Sequence, residues 1–228
     1  MKKGIIIILG FLVLFYIVCY AFSKGDTNYK QYAKSLVELL NEFEKIQVIE
    51  KELQVNEGDY KAVLRKDVDA TNKFVEKNRG KWKETTEGLK EVEKEGSKSR
   101  WSDDALFCVC IGYSIILNWG AEIDSENPIP TVNKYIQNYQ DTKLESWTKK
   151  KFGRIFWDKF SKIASAEVSE KNNINALLSL FKGSYYLKQK RYKEAIDGYR
   201  SATQFAPESM LEKQAQVQIE MIEKLKNR

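Results

Sequence analysis

Residues 175–207 read NALLSLFKGSYYLKQKRYKEAIDGYRSATQFAP, and the spacing of their apolar side chains sets the fold. Those side chains recur at three- and four-residue steps on either side of a short basic turn at Lys190 and Arg191, as in two amphipathic helices. The first helix carries Leu177, Leu180, Phe181, Gly183 and Tyr186. The second carries Tyr192, Ala195, Ile196, Tyr199 and Ala202 and ends at Pro207. Two helices cross at close range only where the contact point has little side chain. Gly183, Ala195 and Ala202 supply that contact, and Tyr186 and Tyr199 fill the space beside it.

Glycine, tyrosine, alanine, aromatic, alanine and proline at Gly183, Tyr186, Ala195, Tyr199, Ala202 and Pro207 stand at the family spacing of a tetratricopeptide repeat, which this stretch resembles. Ser179 and Lys182 stand where that family has its tryptophan and leucine. A degenerate copy lies upstream in 101–142, where RWSDDALFCVCIGYSIILNWG is a first helix and PTVNKYIQNYQDTKLESW a second. Trp101, Asp103, Asp104, Ala105, Leu106 and Phe107 at its start, with Tyr135, Ile136, Tyr139 and Thr142 at its end, resemble bacterial envelope tetratricopeptide proteins. That group includes barrel-assembly lipoproteins and periplasmic cell-division coordinators. The inserted AEIDSENPIP of 121–130 is a departure from that pattern.

Outward from these copies the remaining organisation follows. Residues 144–166 form a linking helix whose Trp147, Phe152, Phe156, Trp157 and Phe160 are core and whose Lys149, Lys150, Lys151 and Arg154 form a rim. Residues 209–226 form a capping helix with a soluble outer surface. Upstream, residues 24–98 read as a helical hairpin or coiled-coil-like region, with one helix over 28–53 and a more polar one over 59–95. The small polar run 96–99 bounds it from a repeat domain over 99–228. The expected class is all-α: an N-terminal transmembrane helix, a hairpin, then a tetratricopeptide-like α–α superhelix.

The first 23 residues are a membrane anchor or a signal peptide. After Lys2 and Lys3 comes an uncharged apolar run, GIIIILGFLVLFYIVCYAF, over residues 4–22. As a helix it spans about 28 Å, close to the hydrocarbon thickness of a bilayer and longer than a signal peptide's apolar region. Ala21-Phe22-Ser23 also has the small-x-small form that signal peptidase accepts, so cleavage before Lys24 stays open. In either case Lys2 and Lys3 hold the N-terminus in the cytoplasm, and the bulk is exported.

Composition narrows the function. The chain has no histidine, which removes the commonest general base and the commonest zinc ligand. No calcium-loop or phosphate-cradle motif is present, so the expectation is no enzyme, no cofactor and no metal. Cys108 and Cys110, two apart on a helix, point about 200° away from each other and read as small core residues. The net charge of +6 is concentrated at Lys2 and Lys3 and in 171–228, without the interleaved aromatics of a single-strand nucleic-acid surface. The partners expected are therefore other proteins and, through the N-terminal helix, a membrane.

The tetratricopeptide resemblance implies a groove lined by the first helices of the repeats, here Leu177, Leu180, Ser184, Leu187 and Lys188. Ser184 replaces the asparagine that grips acidic tails in chaperone-binding relatives. Two functions remain open on this basis: a tethered adaptor in an envelope complex, or a structural subunit buried permanently in a larger assembly.

Overall fold

The computed structural model describes residues 26–46, 60–95, 100–118, 127–139 and 143–226. The expected anchor at 1–23 and the boundary at 96–99 lie outside the described residues. Among the described residues no helix is long and apolar enough to cross a membrane, and all regular structure is helical.

Helix α1 covers 26–46, α2 Tyr60–Lys94, α3 Ser102–Asn118 and α4 Ile129–Asn138. A segmented stretch follows, with α5 at Ser146–Lys151, a π-helical turn at Gly153–Trp157 and α6 at Asp158–Phe160. Then come α7 at Glu170–Lys188, α8 at Tyr192–Phe205 and α9 at Met210–Lys226. The second helix of the degenerate copy starts where Asn127 accepts the amide of Ile129 on its side chain at 3.0 Å. Pro128 and Pro130 sit beside that start, where a missing N–H costs nothing.

Helix α3 organises the core. Every residue from Trp101 to Ser114 is buried, because between Asp104 and Ser114 the stretch ALFCVCIGY offers no polar face to water and must be covered on all sides. Helix α1 brings Tyr29, Leu36, Leu40 and Phe43 against it, α2 brings Trp82, Leu89 and Val92, and α7 brings Ile174, Leu178 and Phe181. The described helices of the hairpin read over 24–98 contribute to one core with α3 to α7. Helices α1 and α2 approach closely where Gly88 lies under the ring of Tyr32. Cys108 and Cys110 are both free thiols in this core.

A second cluster joins α7, α8 and α9 through Ala176, Leu180, Ala195, Tyr199, Ala202, Leu211, Ala215 and Ile222. Helix α7 ends with the Arg191 amide bonding to the Tyr186 carbonyl and the Lys190 amide to the Leu187 carbonyl, both at 2.9 Å. This pairing requires a left-handed residue, which is Lys190 at φ 59°. Replacing Lys190 by glycine removes the clash of its Cβ, and urea unfolding should show a gain of about 1 kcal/mol.

Two expectations are corrected here. Residues 144–166 are not one helix: α5 gives way to the π turn, and 161–168 are turns and bends. The outer surface of α9 is also not wholly soluble, since the exposed large apolar side chains among the described residues, Met210, Val217, Met221 and Leu225, all lie on it.

Candidate functional site

The π turn shapes the most developed surface feature. At its start the Phe152 carbonyl accepts the amides of both Phe156, at 2.9 Å, and Trp157, at 3.2 Å. The extra residue in the turn shifts the side chains after it around the axis relative to an α-helix. Phe156 and Phe160 consequently stack on each other with ring centroids 4.9 Å apart, and Phe107 of α3 meets Phe152, Phe156 and Trp157.

Between this aromatic wall, α1, α3 and α7 lies an open cleft of about 360 Å³. Its floor is apolar, with Leu40 and Phe43 from α1 and Ile155, Phe156 and Phe160 from the segmented stretch. Half-buried Ile115, Ile163 and Leu177 form its edge. The polar groups at its mouth are few: Glu44 pairs with Lys159 and, at 3.5 Å, with Arg154. Mostly apolar concavities of this size with a few polar groups at the edge are where proteins take up ligands or partner side chains.

A second, shallower groove of about 530 Å³ adjoins the cleft at their shared residue Ile155. Lys45, Lys150, Lys151 and Arg154 line it with Val37 and Asn41. Arg154 donates to the Asn41 side chain at 2.8 Å, and Lys151 lies over the Trp147 ring at 5.6 Å. The lysines read from sequence as a rim are thus gathered, in part, beside an apolar cavity, and the face as a whole suits an acidic, apolar ligand.

A buried polar cluster holds this face in position. Asp104 of α3, fully buried, accepts the Glu145 amide at 3.1 Å just before α5. Thr148, a turn further on, meets the Tyr29 hydroxyl at 2.6 Å, and Tyr29 stacks on Trp101 with centroids 4.5 Å apart. Burial pushes the Asp104 carboxyl up to about 7, and the adjacent Asp103 charge adds to the rise against hydrogen bonds from Thr148 and Glu145. Burial raises the Tyr29 and Cys108 pKa values as well. The cluster pins the start of α5 to α1 and α3. Replacing Tyr29 by phenylalanine leaves Thr148 buried with one partner fewer, and denaturant titration should show a loss of about 1–2 kcal/mol.

The five groove residues implied by the repeat resemblance are not presented together. Leu180 is 8% exposed and packs inside the second cluster. Ser184 turns toward α8, where its hydroxyl lies 3.2 Å from that of Tyr199. Leu177 lies between the two clusters and at the cleft edge. Leu187 is half-buried and Lys188 exposed, with partial desolvation lowering the Lys188 pKa. At the repeat-signature positions, Gly183 lies under the Tyr199 ring, Ala195 and Ala202 are fully buried, and the Arg191 guanidinium covers Tyr186 at 4.6 Å. Pro207 is exposed just beyond α8.

Sequence reasoning missed the cleft because its lining comes from four separated elements. The one local signal was the density of aromatics in 147–160. Comparison with protein-family models, with curated proteins and with solved structures yields no match to this chain.

Proposed function

We propose that this chain is a membrane-tethered, non-catalytic scaffold that holds a segment of another protein in the cleft between α1, α3 and the π turn. The observation that carries this is the juxtaposition of an open apolar cleft of about 360 Å³ with the lysine- and arginine-lined groove beside it. Apolar anchors give such a contact its affinity, and the flanking cations select acidic residues and speed encounter. The partner is therefore an acidic amphipathic segment, with its apolar side chains seated on Phe43, Phe156, Phe160 and Leu177.

In the same reading α7 to α9 are a tetratricopeptide-type unit of an α–α superhelix, supported by the glycine-to-tyrosine contact of Gly183 and Tyr199. The apolar run of 4–22 anchors the chain, and the described helices stand on the exported side as part of an envelope complex. Cleavage near Ser23 would release the same scaffold into the periplasm. The rival function, a subunit permanently buried in an assembly, draws on the exposed apolar residues of α9.

Crosslinked pull-down of the full chain from native membranes tests the scaffold. Three forms are compared: the parent, a cleft variant (Lys150→Glu, Lys151→Glu, Ile163→Gln) and a helix α7 variant (Leu187→Asp, Lys188→Glu). Circular dichroism first checks that each is folded. The expected result is a specific set of proteins recovered with the parent and the α7 variant and lost with the cleft variant. Loss only with the α7 variant moves the site to the repeat groove; equal recovery with all three, or none at all, refutes a binding role for either face.

A further inference from the structure

The cleft and the cationic groove meet at one acidic side chain. Helix α1 gives Leu40 and Phe43 to the cleft and Asn41 and Lys45 to the groove. Glu44 follows Leu40 by four residues and Asn41 by three, so it neighbours both on the helix surface and stands on the boundary. Among the described residues that line either concavity it is the single acid, against Lys45, Lys150, Lys151, Arg154 and Lys159. A carboxylate there opposes an acidic partner twice, by like-charge repulsion and by holding cations that the partner would use.

Glu44 holds those cations loosely. Its Oε1 pairs with the Lys159 ammonium, and its Oε2 lies 3.5 Å from Arg154 Nη2. The Arg154 and Lys159 side chains are 71% and 60% exposed, and ion pairs so open to water contribute little. Arg154 does not depend on Glu44 for its position, because the same Nη2 donates to the Asn41 side chain at 2.8 Å. Lys45 and Lys150 are exposed and pair with no carboxylate among the described residues. A carboxylate from outside can therefore take over the cations of Glu44 at small cost and find further ones beside them.

We propose that Glu44 is the specificity residue of this face, an internal stand-in for a carboxylate of the partner. The proposal rests on the scaffold reading above, and the occupant is the same acidic amphipathic segment. As its apolar side chains seat in the cleft, one of its carboxylates displaces Glu44 from Arg154 and Lys159. A segment with a single acid only exchanges one set of ion pairs for another. A segment with two or more adds new pairs with Lys45 and Lys150. Glu44 thus sets a threshold, rejecting weakly acidic segments that the apolar cleft alone would accept.

The test is fluorescence anisotropy of two labelled synthetic peptides titrated with the full chain in a nonionic detergent. Both peptides carry two leucines and a phenylalanine along one face of a helix; one has glutamates on the opposite face and the other glutamines. The parent is expected to bind the glutamate peptide more tightly. Glu44→Gln should tighten it further by about three- to tenfold, the size of one like-charge contact near a protein surface, and adding Arg154→Gln should cancel the gain. The gain should be confined to the glutamate peptide and vanish in about 1 M salt, where the Debye length is about 3 Å. Glu38→Gln, which removes an α1 acid paired with Lys81 of α2, controls for net charge and should give no gain. Circular dichroism checks that each variant is folded. No binding to the parent, or equal binding of the two peptides, overturns the scaffold reading and the role of Glu44 with it. A parent that prefers the glutamate peptide while Glu44→Gln leaves that affinity unchanged or weaker, or while Glu38→Gln gives the same gain, overturns the role of Glu44 alone.

Discussion

Replacing Gly198 with alanine should cost this protein about 3 kcal/mol or more, the largest loss expected of any single methyl group added to it. A Cβ at position 198 would lie 2.7 Å from the Gly183 backbone nitrogen and 2.9 Å from its Cα. Backbone cannot step aside as a side chain can, so α7 and α8 must separate. Separation would open the second cluster around Ala195, Tyr199 and Ala202.

Gly183→Ala meets a softer obstacle. Its Cβ would strike the Tyr199 ring at 2.6 Å, and a ring can swing, though at the cost of its contact with Ser184. A loss of about 1–3 kcal/mol is expected there. Gly80 of α2 has no atom within 4 Å of an added Cβ, so Gly80→Ala should gain up to about 1 kcal/mol from helix propensity alone. Thermal unfolding of the full chain in detergent, followed by circular dichroism, should rank the variants Gly80→Ala, parent, Gly183→Ala, Gly198→Ala in falling stability. Equal behaviour of the 183 and 198 variants would mean that the two helices do not touch backbone to backbone.

The second large effect is on pH. In the folded chain burial raises the Asp104 carboxyl from its ordinary value to about 7, whereas in the unfolded chain it titrates near 4. Between those values the folded state holds a proton that the unfolded state has released, so stability falls as pH rises from about 4 to 7 and levels off above. The loss amounts to roughly 4 kcal/mol at most. Asp26 runs the other way: burial opposes its ionisation, but hydrogen bonds from Lys30, Arg100 and Trp101 outweigh it and lower its pKa. Glu42 is lowered too, chiefly by Lys77. Both carboxylates contribute stability that is present above their unfolded values and lost as pH falls, the opposite sign to Asp104.

Asp104→Asn keeps an acceptor for the Glu145 amide without the charge. Denaturant titrations at pH 5 and pH 8 should show the parent weaker at pH 8 and the Asp104→Asn variant nearly indifferent. The same slope in both proteins would place the titrating group elsewhere.

Much of this molecule is legible residue by residue. The three- and four-residue apolar steps of 29–43, the mostly apolar 105–116 and the small residues Gly183, Ala195 and Ala202 each specify a helix and a face through interactions that span one or two turns. The chain's own order is enough for that, since helical periodicity is a local property. Even the turn between α7 and α8 is visible there, although nothing local announces that Lys190 itself takes the left-handed position.

What could not be read that way depends on which surfaces meet. Gly198 looks like any helical glycine until α7 is laid on α8, and Leu180 looks like a groove residue until α9 and α8 close over its cluster. The π turn arises where α5 must satisfy Asp104 at one end and seat Phe156 and Phe160 against α1 and α3 at the other. An apolar pattern states that a face will be buried but not against what, because burial energy is non-directional and nearly indifferent to the identity of the neighbour. The cleft and the cationic groove beside it are products of that packing, and so they became visible only when distant segments were brought together.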